Sequence, residues 1–427
     1  LEPAGATFTG PRVPGEENSE FFASSDNWSR PVQVRTGPDG ALWVVDMYRY
    51  VIEHPKWIPA EHLAKLDVRA GDDKGRLYRV LPEGVEPRPI RDLTRLSPIE
   101  LADAFDTPNG PVRDLIQARL VQLGAKDTAP RLADLAANSD WPATRAQALA
   151  TLAALESLTP EHLAAALTDP HPGVRRVALV LGEPFYQNHP ALTAGGTALT
   201  DDADAAVRYQ LALSLGEAQS PSITAALSQL AGKDMGDSWM RAAILSSSVD
   251  CADEVLAAVL SSPVAAPGRT ELARGLIVTA ASTGDDATLD RLTALLADGI
   301  SESASAEAWR FAAWADFLQT LERRKIQPAT LLARAAQGEA SASLSRLWEA
   351  ASTLAFDAAQ PVALRQSTLA LCALRDDLSA TELAQLAAMF ENPAEETLRP
   401  AALAALRRQP AEGLTAVLLQ DWSLRSP

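Results

Sequence analysis

The sequence predicts an α+β multidomain chain that is predominantly helical, with a terminal β-propeller blade followed by an α-solenoid. Two observations carry this. Gly37-Pro38-Asp39-Gly40 opens the short apolar strand Ala41-Leu42-Trp43-Val44-Val45-Asp46, which ends on an acidic residue as a blade strand does. From Ile90 onward the chain is Ala- and Leu-rich, and an arginine recurs near helix starts at a nearly fixed period. At 427 residues, the chain has room for two or more domains with their own cores.

Residues 1–82 read as the C-terminal, incomplete end of a propeller. Pro31-Val32-Gln33-Val34-Arg35 and Ala41–Asp46 flank the Pro-Asp-Gly turn and form a natural hairpin. Gly75-Arg76-Leu77-Tyr78-Arg79-Val80 supplies a third strand. The intervening insertion, residues 47–74, holds a short helix near Ala60 to Leu66, and its length marks it as functional or interface-forming. One blade leaves two apolar faces and two edges uncovered, so further blades are expected before residue 1. Residues 83–89 are a proline-containing linker, and residues 90–427 are helical repeats.

In the repeats, Arg113, Arg145, Arg175, Arg208, Arg241 and Arg274 follow at spacings of 32, 30, 33, 33 and 33. Arg365 and Arg399 lie 34 apart, and the period blurs around Arg310 and Arg346. A period in the thirties with two helices per unit means stacked helix pairs. The clearest unit is Leu167-Thr168-Asp169-Pro170-His171-Pro172-Gly173-Val174-Arg175, with Val174, Val177, Ala178 and Leu181 as its buried stripe. It resembles a HEAT repeat. The recurring arginine can pair with an aspartate of its own or a neighbouring repeat, forming a ladder along the stack.

The formal net charge of −17 opposes binding to nucleic acid or anionic membrane. No run of about 18 apolar residues is present, so no membrane span is expected. Cys251 and Cys372 form no C-x-x-C pattern and read as small buried hydrophobes on helices. Trp239, Trp309, Trp314, Trp348 and Trp422 fall on predicted helices as core or inter-repeat packing. The chain opens on Leu1 without a basic and apolar leader, and reads as an excerpt of a longer protein.

The run Phe21–Trp28, Arg30-Pro31-Val32, Gly37–Leu42, Asp46-Met47-Tyr48-Arg49, Ile52-Glu53-His54-Pro55 and Gly71–Val80 is distinctive. It resembles the end of the propeller in a family of large exported planctomycete and verrucomicrobial proteins. These are described as membrane-bound dehydrogenases or as haem-binding proteins with a C-x-x-C-H motif. Their layout is a propeller similar to glucose/sorbosone dehydrogenases, then HEAT-like repeats, then a c-type cytochrome domain. The resemblance implies oxidation of a sugar or alcohol, a quinone with calcium, electron transfer to c-type haem, and a periplasmic or otherwise exported location. It also implies the missing blades and the cytochrome domain of the same polypeptide as partners. No C-x-x-C-H occurs in this chain, and no cofactor or metal is assignable to its residues.

Five residues are the candidate site. Arg30, at the start of the first strand, suits an anionic cofactor or substrate; the alternative is a salt bridge between blades. With Arg30, Glu53 and His54 are the candidate catalytic groups, His54 as base or metal ligand and Glu53 as its partner or a second ligand, although neighbours on an extended segment point apart. Tyr48 and Arg49 are candidate cofactor contacts; the alternative for the whole cluster is a structured insertion packing on its neighbours. Asp39 and Asp46 read as turn-forming carboxylates. Asp72-Asp73-Lys74-Gly75 lacks the spacing of a calcium loop. Asp201-Asp202-Ala203-Asp204 reads as an acidic loop and helix cap. A second functional class stays open: a non-catalytic HEAT-repeat scaffold that binds a protein partner on its concave face.

Overall fold

A computed structural model describes residues 1–263, 266–298, 308–337, 341–375, 378–391, 393–407, 409 and 415; Trp422 lies outside them. The chain divides into two compact units, Leu1–Leu211 and Ala212–Pro427.

The first unit opens with a hairpin that the sequence pattern did not announce, β1 (Glu2–Ala4) and β2 (Thr7–Thr9), turning at Gly5 with φ 60°. The three expected strands then form one antiparallel meander: β3 (Pro31–Thr36), β4 (Leu42–Asp46) and, after the short helix α1 (Ala60–Leu63), β5 (Arg76–Val80). Gly37 N donates to Ala41 O at 2.8 Å, and Gly40 takes φ 85°, so the hairpin turn needs its glycine. Register places Val34, Val44 and Tyr78 side by side, and Gln33, Val45 and Leu77 on the opposite face. Among the described residues the strands close no barrel or propeller.

Helices dominate the rest. After a 3₁₀ turn at Leu93–Arg95, the first unit continues with α2 (Pro98–Ala104), α3 (Gly110–Leu123), α4 (Ala129–Asn138), α5 (Pro142–Ala154), α6 (Pro160–Ala166), α7 (Pro172–Tyr186) and α8 (Pro190–Thr197). Proline sits in the first two positions of each of these seven helices, where its missing N–H costs no helical bond. Helices α2, α4, α6 and α8 stack in one layer and α3, α5 and α7 in the other. Leu101, Phe105, Ile116, Leu120, Leu132 and Leu152 fill the space between the first pairs. The α7 stripe differs in detail from expectation: Val174 and Ala178 are buried, but Leu179 and Gly182 join them while Val177 and Leu181 are half-buried. An α-helical face of 3.6 periodicity rotates past a strict i, i+3, i+4, i+7 pattern.

Helix α9 (Ala205–Ser214) leads into the second unit. There α10 (Pro221–Asp234), α11 (Ser238–Ser247), α12 (Ala252–Leu260), α13 (Arg269–Thr283), α14 (Asp286–Ala297), α15 (Ala308–Arg323), α16 (Pro328–Ala336), α17 (Ser341–Phe356), α18 (Val362–Cys372), α19 (Ala380–Glu391) and α20 (Arg399–Arg407) repeat the arrangement. Helices α11, α13, α15, α18 and α20 pack in succession, as do α10, α12, α14, α17 and α19. This is a helical-repeat arrangement consistent with a solenoid. Trp314 is fully buried edge-on to Phe317, with centroids 5.7 Å apart. Trp239 is instead 55% exposed. Cys372 is buried, but Cys251 is half-buried and sits at the N-cap of α12, not within a helix.

The recurring arginines have two jobs. The turns between helices leave carbonyls without partners, and five of these arginines turn back onto the carbonyls of the turn before their own helix. Arg145 Nη1 donates to Ser139 O, Arg175 Nη1 to Asp169 O, Arg208 Nη1 to Asp202 O and Arg241 Nη1 to Met235 O, all at 2.7–2.8 Å and all six residues back. Arg113 does the same with Thr107 O. The other job joins successive pairs. Arg145 grips the Asp169 carboxylate at 2.7 and 2.8 Å, and Arg175 grips that of Asp202 at 2.7 Å twice. One turn aspartate thus takes the preceding repeat's guanidinium on its side chain and its own repeat's guanidinium on its backbone. Arg274, expected as the sixth member, pairs with Asp316 instead. Arg269 takes the capping place, donating to Val259 O and Leu260 O, because α13 begins at Arg269 directly after Gly268 with φ 76°.

Candidate functional site

The residues with the densest polar wiring in the N-terminal sheet surround Asp46, the last residue of β4. Its side chain is 1% exposed. Oδ1 accepts from Arg30 N at 2.7 Å and Tyr48 N at 2.9 Å, and Oδ2 accepts from the Ser29 hydroxyl at 2.9 Å. Burial pushes this carboxyl up, but those donors and the Arg76 charge outweigh it, and it titrates below the usual carboxylate range. The turn-forming role expected of Asp46 is therefore met by three donors. Asp39 has a similar role at the β3–β4 turn, accepting from Ala41 N and Trp43 Nε1, with Arg79 3.3 Å away.

The ladder continues beyond the strands. Met47 N donates to Arg30 O and Arg49 N to Trp28 O, both at 3.0 Å, so residues 28–30 and 46–49 run side by side. Between these donors Tyr48 adopts φ 51°, a left-handed conformation costly for a tyrosine. The chain there is held from the other side by Gly71 (φ 92°), where a Cβ would meet Tyr48 O at 2.6 Å. The Tyr48 ring lies under the Arg76 guanidinium at 4.0 Å and 5.8 Å from the Trp28 ring, which also packs on Tyr50 at 5.2 Å. A hydrogen bond to Asp26 raises the Tyr48 hydroxyl above its ordinary value, and the Trp28 amide followed by that hydroxyl lowers Asp26.

Arg30, Tyr48 and Arg49 are thus brought together. Arg30 Nη1 donates to Asn27 O and Ser29 O, while Arg30 Nε and Arg49 Nη1 are buried with no hydrogen-bond partner among the described residues. Glu53 and His54 are outside this set. Both are exposed, and His54 Nδ1 accepts from Lys56 N at 3.2 Å, capping the 3₁₀ turn Pro55–Trp57. Asp26, Trp28 and Arg76 were not anticipated. Arg76 was detectable in principle, because strand pairing sets it opposite Asp46.

Residues 1–84 match the family model described as a domain of unknown function, DUF7133. No curated protein matches the chain. The DUF7133 span holds β1 to β5 and the entire Asp46 constellation, and ends before α2. Among the described residues no group of three or more His, Cys, Asp or Glu is placed to hold a metal, and the Asp46 oxygens are taken by protein donors. No helix of the described residues is long and apolar enough to cross a membrane.

Proposed function

We propose that this chain is the end of a β-propeller joined to a HEAT-like helical spacer in an exported, periplasmic dehydrogenase-like protein that oxidises sugars or alcohols and delivers electrons to a c-type haem domain. The observation that carries the reading is the uncovered edge strands, β3 and β5, of the three-stranded sheet. Strand β3 is exposed along its whole length, and apolar side chains are uncovered on both faces, Val34 at 53% on one and Leu77 at 65% on the other. Such a sheet is built to be covered by further strands. Within it, Arg30 and Arg49 are the residues assigned to an anionic cofactor or substrate, with Tyr48 shaping the wall. Glu53 and His54 contribute only if the insertion brings them over that wall.

The test uses the longer protein that carries this chain, supplied with quinone and calcium. Sugar- or alcohol-dependent reduction of a redox dye is expected, and Arg30→Gln lowers it at least tenfold while circular dichroism is unchanged. No turnover with any sugar or alcohol overturns the reading.

A second reading, a non-catalytic scaffold, is favoured by the ladder: Arg145, Asp169, Arg175 and Asp202 are all engaged with one another or with backbone. It predicts specific capture of a protein partner by the chain, with dye reduction unaffected by its presence.

A further inference from the structure

A groove of about 930 Å³ lies between the linker and the first helix pair, apart from the Asp46 constellation. Its walls are Pro89, Ile90 and Leu93 on one side and Val112 and Leu115 of α3 on the other. Ile90 and Leu115 are each 57% exposed, an unusual state for facing aliphatic side chains. The ionisable lining is asymmetric: three arginines, Arg88, Arg91 and Arg119, against one aspartate, Asp92. That aspartate is already engaged, accepting from Thr94 N at 3.0 Å and pairing with Arg95 at 3.0 Å. Arg119 reaches the neutral Gln122 at 2.9 Å. Arg91 lies near Glu100, whose carboxylate is held by Ser97 N at 2.8 Å. In a chain of net charge −17, this is a local cationic surplus around an apolar floor.

We propose that the groove binds a small molecule with an elongated apolar body and one terminal carboxylate. The volume falls within the usual range of small-ligand sites, about 300–1,000 Å³. The aliphatic walls take the body, and a guanidinium fork takes the carboxylate, a geometry that an ammonium or hydroxyl head cannot reproduce.

Calorimetric titration of the chain with three probes of one chain length tests this: laurate, dodecanol and dodecyltrimethylammonium, each below its micelle-forming concentration. Saturable binding of laurate is expected, about tenfold or more tighter than dodecanol, with no binding of the cation. Arg91→Gln or Arg119→Gln removes the preference for laurate over dodecanol, and Leu115→Asp, at an exposed position that leaves folding intact by circular dichroism, abolishes binding of both. Absence of saturable laurate binding, equal binding of all three probes, or an unaltered preference in the arginine variants would each overturn the proposal.

Discussion

The sheet and the helical repeats use buried charge in opposite senses. Around β4 the orphaned backbone groups are N–H donors, and a carboxylate, Asp46, gathers the amides of Arg30 and Tyr48. In the turns between the repeat helices the unpaired groups are carbonyls, and a guanidinium gathers them, as Arg175 does with Asp169 O and Pro170 O. The sign of the charge follows from which backbone groups each architecture leaves unpaired. The consequences differ too. The aspartate closes one local turn, whereas the arginine has a second end free to clamp the next repeat. The sheet device is therefore local, and the repeat device is propagating.

Removing the propagating device has the largest expected effect. Arg175→Leu strips the Asp202 carboxylate, 4% exposed, of its bidentate partner and uncaps the Asp169 carbonyl. A loss of about 3–5 kcal/mol is expected, and amide exchange quickens on both sides, across residues 160–208. Asp46→Ala leaves two amides and a hydroxyl to find water and costs about 2–3 kcal/mol. Its effect stays within residues 26–50, read by the fluorescence of Trp28 and Trp43 while far-ultraviolet helicity is retained. An equal spread of the two perturbations would break the distinction.

Acid affects both regions in the same direction. Asp46, Asp169 and Asp202 are each raised by burial but lowered further by their donors, so each titrates below its ordinary value in the folded chain. A carboxyl lowered on folding stabilises above its unfolded pKa, about 3.9, and loses that contribution as pH falls through the folded value. Thermal stability is expected to be level from about pH 7 to 5 and to fall below about pH 4, with a shallower fall in Asp202→Asn. A slope unchanged by that substitution contradicts the assignment. The smallest effect belongs to the exposed pair Lys126–Glu156, 2.7 Å apart with side chains 58% and 82% exposed. Lys126→Met is expected to leave the midpoint of chemical denaturation unchanged within error, because an exposed pair is screened by solvent.

The readable features of the fold were those written in local chemistry. Gly37-Pro38-Asp39-Gly40 set the hairpin, and the arginine spacing located five turn-capping positions, Arg113 to Arg241, of which Arg145 and Arg175 also pair with an aspartate while Arg113 bonds Gln147. The sixth failed because spacing alone picked Arg274, whereas the left-handed Gly268 starts the helix early and hands the role to Arg269. Candidate site residues separated for a similar reason. Tyr48 and Arg49 join Arg30 because backbone bonds extend the strand pairing past Asp46, but that pairing does not reach Glu53 and His54. Asp202 was legible as a member of an acidic loop, not as the partner of an arginine 27 positions earlier. Contacts of that kind come from stacking one repeat on another, which a window on the sequence does not contain.

The central claim is that the turn aspartate and the preceding repeat's arginine act as one joint. A double-mutant cycle of Arg175→Leu and Asp202→Leu, read by chemical denaturation, measures it. The account predicts a coupling of about 2 kcal/mol or more between the two positions. Additive effects, with coupling within error of zero, would contradict it.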